Sequence, residues 1–180
     1  MPEDFAFPLS AFYARTTLAL PRMEIIAADT LPEPHRSLLA HDLDMTPTLE
    51  RFHGDEIHIQ ALRSEQHDGR YFRQVVLRRN RDDAPVEFGA NCLDLTLFTP
   101  EARWMILQEK VPLGRILKDH AITHQTRAQN YFQVEPDALI CQALALPKAT
   151  QLYGRQAVIR DADGRTLSQV IEILPPLHDR

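Results

Sequence analysis

A succession of strand-like segments joined by short turns limits the fold more than any other feature of the sequence. Alternating apolar residues over 57–62 are followed, after a turn, by a second strand over 71–78. The hairpin turn Asp-Ala-Asp-Gly at 161–164 joins two final strands, 152–160 and 165–174. Connections this short favour antiparallel pairing over crossover units. The sequence therefore predicts an antiparallel sheet.

Further segments complete the predicted domain. Helical spacing of apolar residues, or a helix-start proline, predicts short helices at 35–43, 49–52, 100–108, 115–118 and 136–146. Strand character extends over 86–98 and 121–134. The predicted fold class is α+β, with an antiparallel sheet of about six strands and helices mainly on one face.

Length and composition favour a single domain. The chain has 180 residues, 44% of them hydrophobic, which is enough for one sizeable core. Prolines at positions 2, 8, 21, 32 and 34 predict an irregular leader over 1–34, before a domain over 35–180. A net charge of −5 and the lack of a basic repeat argue against nucleic acid as a partner. Without a signal peptide or membrane-span pattern, we expect a cytoplasmic protein.

Two charged residues interrupt apolar strands. Glu172 lies in Val-Ile-Glu-Ile-Leu, and Arg73 lies in Tyr-Phe-Arg-Gln-Val-Val-Leu. A buried carboxylate must be paired, hydrogen-bonded or protonated, so Glu172 is a candidate acid, base or ligand clamp. The simpler alternatives are an edge position for Glu172 and a cross-strand salt bridge between the two residues. Arg115 and Arg155 follow glycines, and each alone is typical of a solvated surface residue.

Other kinds of site have weaker support. The eight histidines lack a metal-ligand spacing, and no phosphate-binding glycine loop or nucleophile elbow is present in the sequence. Cys92 and Cys141 are far apart and fit buried apolar positions. We therefore expect no metal and no cofactor.

Several blocks in order carry a resemblance to a known family. They are Met45-Thr46, Tyr71–Leu77, Val111-Pro-Leu-Gly-Arg-Ile-Leu117, Leu152-Tyr-Gly-Arg155 and Asp163-Gly164 with Ile171-Glu-Ile-Leu-Pro175. Over about 38–175 the chain resembles the chorismate lyase (chorismate pyruvate-lyase) family. The resemblance implies a cofactor-free enzyme with an antiparallel sheet flanked by helices. One departure is Gly89-Ala-Asn91, where the family often has an arginine after the glycine.

The resemblance also implies roles for individual residues. Arg73 would grip a substrate carboxylate, Glu172 would act on the ring oxygen, and Met45, Leu113 and Gly114 would close the cavity. The expected reaction releases pyruvate from chorismate, the small-molecule substrate, to give 4-hydroxybenzoate for ubiquinone or other aromatic-compound biosynthesis. The alternative is a noncatalytic module that binds an aromatic or cyclic acid, related to the effector-binding domains of transcription regulators. The oligomeric state stays open.

Overall fold

A single antiparallel sheet of seven strands forms the centre of the fold. The computed structural model describes residues 4–177, so residues 1–3 of the expected leader and 178–180 of the expected domain lie outside the described part. The strands run in the spatial order β1-β5-β6-β7-β4-β3-β2, and every neighbouring pair is antiparallel. Their bounds are β1 (Arg22–Ile26), β2 (Ile57–His67), β3 (Arg70–Arg79), β4 (Pro85–Leu93), β5 (His124–Glu135), β6 (Leu152–Asp161) and β7 (Thr166–Leu174). The predicted fold class is confirmed.

Short helices cover the sheet, mainly on one face. They are α1 (Leu9–Tyr13), α2 (His35–Leu39), α3 (Met45–His53), α4 (Pro100–Leu107), α5 (Leu113–Asp119) and α6 (Ala138–Ala143), with single 3-10 turns at Ala28–Thr30 and Leu95–Leu97. Helices α2 to α5 pack on the face that carries Val75 and Leu77 of β3. The two remaining helices, α1 and α6, pack on the opposite face around Phe88 and Ile171.

The segment expected to be an irregular leader contributes to this fold. β1 adds a seventh strand by pairing with β5, and α1 places Leu9 and Phe12 in the core. Each element is only five residues long. The prolines do shorten these elements, but five residues suffice for one strand pairing and one buried helical turn.

Alternation along the central strands sorts side chains between two faces. On β3, Phe72 and Val76 point into one core, whereas Val75 points to the opposite face. Close packing across β6 requires Gly154, because a Cβ atom there would lie 2.5 Å from the carbonyl oxygen of Glu172 and 2.6 Å from the Phe132 ring. Strand β6 therefore has no room for a side chain at position 154.

Two features bear on the broad class of protein. Among residues 4–177, no helix is both long and apolar enough to cross a membrane. Cys92 is buried and Cys141 is partly buried, and both are free thiols.

Candidate functional site

A cavity lies between the helix-rich face of the sheet and the covering helices. β3, β4, β6 and β7 form its floor, and the start of α3 and the residues around the start of α5 form its cover. Its polar lining residues are Asp44, Thr46, Arg73, Glu87, Asn91, Thr126, Arg155 and Glu172. The apolar part of its wall comes from residues such as Ile59, Val75, Leu77, Ile159 and Val170.

All five residues singled out in the sequence lie on this cavity. Arg73 and Glu172 project from β3 and β7, while Met45, Leu113 and Gly114 belong to the covering helices. Gly114 packs closely on α3, where a Cβ atom would lie 3.1 Å from Thr46 Oγ1. Their roles in ligand binding stay predictions.

The register of the strands explains why the charged residues meet on one face. Arg73 pairs with Asn91, and Gly89, two residues earlier on β4, pairs with Glu172. Glu172 pairs in turn with Arg155 on β6. Directly paired residues project to the same side of a sheet, as do residues two apart. The alternation therefore carries all these side chains into the cavity.

Arg73 is a buried cation with few partners. Its exposed fraction is 1%, and Nη1 donates one long hydrogen bond of 3.4 Å to the Ile106 carbonyl oxygen. Nε has no hydrogen-bond partner within the described chain. Burial lowers the pKa of the Arg73 guanidinium, against the opposing influence of Tyr71 and Glu109. A guanidinium keeps its proton even so, which leaves a positive charge largely uncompensated in the cavity wall.

Arg155 is also buried, but its hydrogen bonds are satisfied. Its exposed fraction is 0%, and Nε donates a 2.5 Å bond to Glu172 Oε2. The other guanidinium nitrogens donate to the carbonyl oxygens of His41 at 2.7 Å and Leu43 at 2.9 Å. This arginine holds the chain between α2 and α3 against the sheet.

The cross-strand salt bridge considered between Arg73 and Glu172 does not form. Strand β4 lies between their strands, and the ion pair of Glu172 is with Arg155. The expectation that Arg155 is a solvated surface residue is also wrong, because its side chain is fully buried. Arg115 does lie nearer the surface, where it pairs with Glu50. Because glycine precedes both arginines, local sequence did not distinguish them.

A second carboxyl group, Glu87, was not identified from the sequence. It projects from β4 into the cavity with an exposed fraction of 4%, and its Oε2 has no hydrogen-bond partner in the described residues. Burial, and then the nearby charge of Glu172, raise the pKa of Glu87 well above its usual value, although Arg155 opposes this. Alternation along β4 could have identified this residue. Every second residue of a strand points to the same side, so Glu87 lies on the face of Gly89 and Asn91, which is also the face of Arg73.

The rim of the cavity carries a third polar group. Asp44, just before α3, accepts hydrogen bonds from His124 Nε2 at 2.8 Å and Thr126 Oγ1 at 2.5 Å. Burial opposes ionisation of Asp44, but these bonds outweigh it and lower the pKa of that carboxyl. The bond to Asp44 raises the pKa of His124. The pair ties α3 to β5.

Near Arg73, a side-chain contact joins β3 to the segment between α4 and α5. The Tyr71 hydroxyl donates a hydrogen bond to Glu109, which follows α4. Burial, together with this bond, raises the pKa of Tyr71 to about 12. The space beneath the cover is about 50 Å³, which is room for a few waters. A ring-sized ligand therefore needs more room than this cavity offers.

No group of three or more histidine, cysteine, aspartate or glutamate side chains within residues 4–177 has a geometry that could hold a metal ion. Among the described residues, the cavity offers hydrogen bonding and charge from a guanidinium with one long hydrogen bond, an ion pair and a carboxyl group whose Oε2 has no partner.

Comparisons with known proteins find similar structures but no similar sequences. No protein-family model matches the sequence, and no curated protein matches it. PhnF from Mycobacterium smegmatis superimposes with a TM-score of 0.58 at 13% identity, over 78% of this chain and 70% of that protein. The effector domain of the same protein gives a TM-score of 0.52 at 13% identity, over 76% of this chain and 95% of the domain. A possible transcriptional regulator, YydK from Bacillus subtilis, gives 0.51 at 7% identity, over 66% and 58% of the two chains.

These likenesses correct two predictions. The prediction of a chorismate pyruvate-lyase is wrong, because the similar structures are the effector domain of PhnF and a possible transcriptional regulator. The predicted partners, a chorismate substrate and no nucleic acid, are wrong for the same reason: this fold occurs in a possible transcriptional regulator. At such low identities the comparison shows the fold alone, which this chain shares with the effector domain of PhnF.

Proposed function

We propose that this chain is a noncatalytic module that binds a small organic anion, an aromatic or cyclic acid, in the cavity beside Arg73, and that it serves a regulator of transcription. The likeness to the effector domain of PhnF supports the noncatalytic part of this proposal. The cavity's side chains support the choice of ligand.

The observation that carries the proposal is the incomplete bonding of Arg73. Within residues 4–177, the buried guanidinium has no partner at Nε and a single hydrogen bond of 3.4 Å, which is costly to the folded protein. A ligand carboxylate can accept two parallel bonds from a guanidinium and can neutralise its charge. Binding an anion would thus satisfy a group that the protein itself leaves unsatisfied.

The apolar wall accounts for the rest of the ligand. Val75, Leu77 and Val170 lie on the same sheet face as Arg73 and border the cavity. A flat hydrocarbon ring packed there would bury apolar surface, at about 25 cal/mol per Å². A carboxylate attached to a small ring matches the combination of one cation and an apolar floor.

Ligand binding would also act on the cover. Arg73 donates to the carbonyl oxygen of Ile106 in α4, and a carboxylate would compete for that donor. A ring needs more room than the cavity offers, so we infer that the segment between α4 and α5, which ends beside the cavity at Pro112, moves before a ring enters. The bound and free forms would then differ in the position of this segment, as an effector domain requires.

Isothermal titration calorimetry with benzoate tests the proposal. We expect saturable binding to the unchanged protein and a loss of at least tenfold in affinity in Arg73→Met, which keeps an apolar side chain of similar length. Arg103→Met is the matched control, because that arginine bonds to the Leu95 carbonyl oxygen outside the cavity. Equal affinity in all three proteins would contradict the proposal.

A further inference from the structure

Glu87 is a buried group that the proposed anion site does not yet use. Its carboxyl group lies over Gly89, where a Cβ atom would be 3.1 Å from Glu87 Oε1. Any larger residue at position 89 would crowd that carboxyl. The absence of a side chain at Gly89 thus makes room for Glu87 beside Glu172, the residue paired with Gly89.

The charges around Glu87 are already taken. Arg155 on β6 is bonded to Glu172 on β7 and to backbone carbonyl oxygens. Asp44 before α3 is bonded to His124 and Thr126. Arg73 on β3 shows no ion pair with Glu87, and Glu87 Oε2 is buried without a partner in the described residues. A negative charge at Glu87 would therefore lie next to Glu172 with no cation of its own.

We infer that Glu87 is a second ligand-contacting residue, uncharged in the cavity, which selects a small monoanion over a dianion and can hydrogen-bond an uncharged polar group of that ligand. This inference rests on the proposed anion-binding function. Arg73 is the single cation of the described lining that lacks a bonded anion, so one negative charge on the ligand completes the balance. A second carboxylate on the ligand would meet Glu87 and Glu172 without a counter-charge.

The upward shift in the pKa of Glu87, caused first by burial and then by Glu172, agrees with this geometry. It also gives a ligand-free measurement. An acid whose pKa is higher in the folded than in the unfolded chain stabilises the fold fully below the unfolded value, about 4.3, and loses that contribution as pH rises toward the folded value. Glu87→Gln keeps an uncharged group of the same shape and cannot lose a proton.

The first experiment follows thermal unfolding of the unchanged protein and of Glu87→Gln from pH 5 to pH 8. The difference between the two proteins cancels the titration of the other charged groups in the cavity. We expect the Tm of Glu87→Gln, relative to the unchanged protein, to increase as pH rises. A difference that does not change with pH would overturn the uncharged state of Glu87, whatever binds in the cavity.

The second experiment titrates both proteins at pH 7 with three probes: benzoate, 4-carbamoylbenzoate and terephthalate. 4-Carbamoylbenzoate and terephthalate have the same shape, but 4-carbamoylbenzoate is a monoanion and terephthalate is a dianion. We expect terephthalate to bind at least tenfold more weakly than 4-carbamoylbenzoate, and Glu87→Gln to bind all three as the unchanged protein does.

Four results would count against the inference. Equal affinity for the two para-substituted probes, or binding of benzoate alone, would overturn the proposed ligand class. Tighter benzoate binding by tenfold in Glu87→Gln would show that Glu87 is charged and repels the ligand. Failure of benzoate to bind at all would overturn the anion-binding function, and the ligand selection with it, whereas the thermal experiment would still report the charge of Glu87.

Discussion

Replacing Arg155 by methionine should lower the free energy of unfolding by about 4 kcal/mol, the range for removing one partner of a buried ion pair. Arg155 is fully buried and bonded to Glu172 at 2.5 Å. It also donates to the carbonyl oxygens of His41 and Leu43. Each acceptor left buried and unbonded adds about 1 to 3 kcal/mol, although such costs are not additive.

Urea denaturation at pH 7 measures this loss through the midpoint and the slope. For a chain of this size, 4 kcal/mol corresponds to a decrease in Tm of roughly 8 to 16 °C. Arg73→Met is the internal comparison, because Arg73 has one long hydrogen bond and no ion pair in the described chain. We expect its stability to stay the same or to rise by about 1 kcal/mol, since replacing a buried charge with an apolar side chain is often neutral or stabilising.

The two arginine substitutions should differ in their effect on the free energy of unfolding. A loss below about 1 kcal/mol in Arg155→Met would refute the structural role of Arg155. A loss in Arg73→Met as large as that in Arg155→Met would show that Arg73 is needed for the fold. The double variant Arg155→Met with Glu172→Leu should recover part of the loss, because it removes both charges of the pair.

Three further predictions follow from other contacts. Gly154→Ala should lower the unfolding free energy by about 1 to 3 kcal/mol through overpacking, because the new methyl group would lie 2.5 Å from the Glu172 carbonyl oxygen; an unchanged Tm would contradict this contact. His124→Ala should be more destabilising at pH 5.5 than at pH 8.5 in urea denaturation. The bond to Asp44 raises the pKa of His124, so its contribution is full below about 6.5 and is lost as pH rises through the folded value; a pH-independent effect would exclude the pair as its source. Tyr71→Phe removes the hydroxyl that bonds to Glu109, so amide hydrogen exchange over 108–112 should accelerate while exchange in β7 stays the same; equal exchange in both proteins would show that this bond does not hold the cover.

The central strands could be predicted because their pattern is repetitive. β3, β6 and β7 were predicted to within a residue or two of their observed ends, and a hairpin turn at Gly164, with φ of 80°, joins the last two. α1 and β1 were not recognised as elements of the folded domain. Their five residues give too few periods for a hydrophobic pattern; α1 is buried by contact with a distant core, and β1 is held by pairing with β5.

The candidate site was predictable in part. Arg73 and Glu172 stood out because each interrupts an apolar strand, and the structure places both on one cavity. The partner of Glu172 could not be predicted, because strand order decides it: β6, rather than β3, neighbours β7 on that side. Glu87 escaped notice because a glutamate in an alternating strand usually faces water, and only the covering helices turn that face into a cavity.

The most direct test of the central claim is a nitrogen-15 NMR titration that follows the guanidinium Nε–H signals of the arginines as benzoate is added. Loss of one signal in Arg73→Lys and of another in Arg155→Lys would assign the two buried residues. We predict a saturable shift of the Arg73 signal, because its Nε lacks a partner in the described residues, and little change at Arg155, whose Nε stays bonded to Glu172. An unmoved Arg73 signal at saturating benzoate would contradict the claim that this cavity binds anions through Arg73.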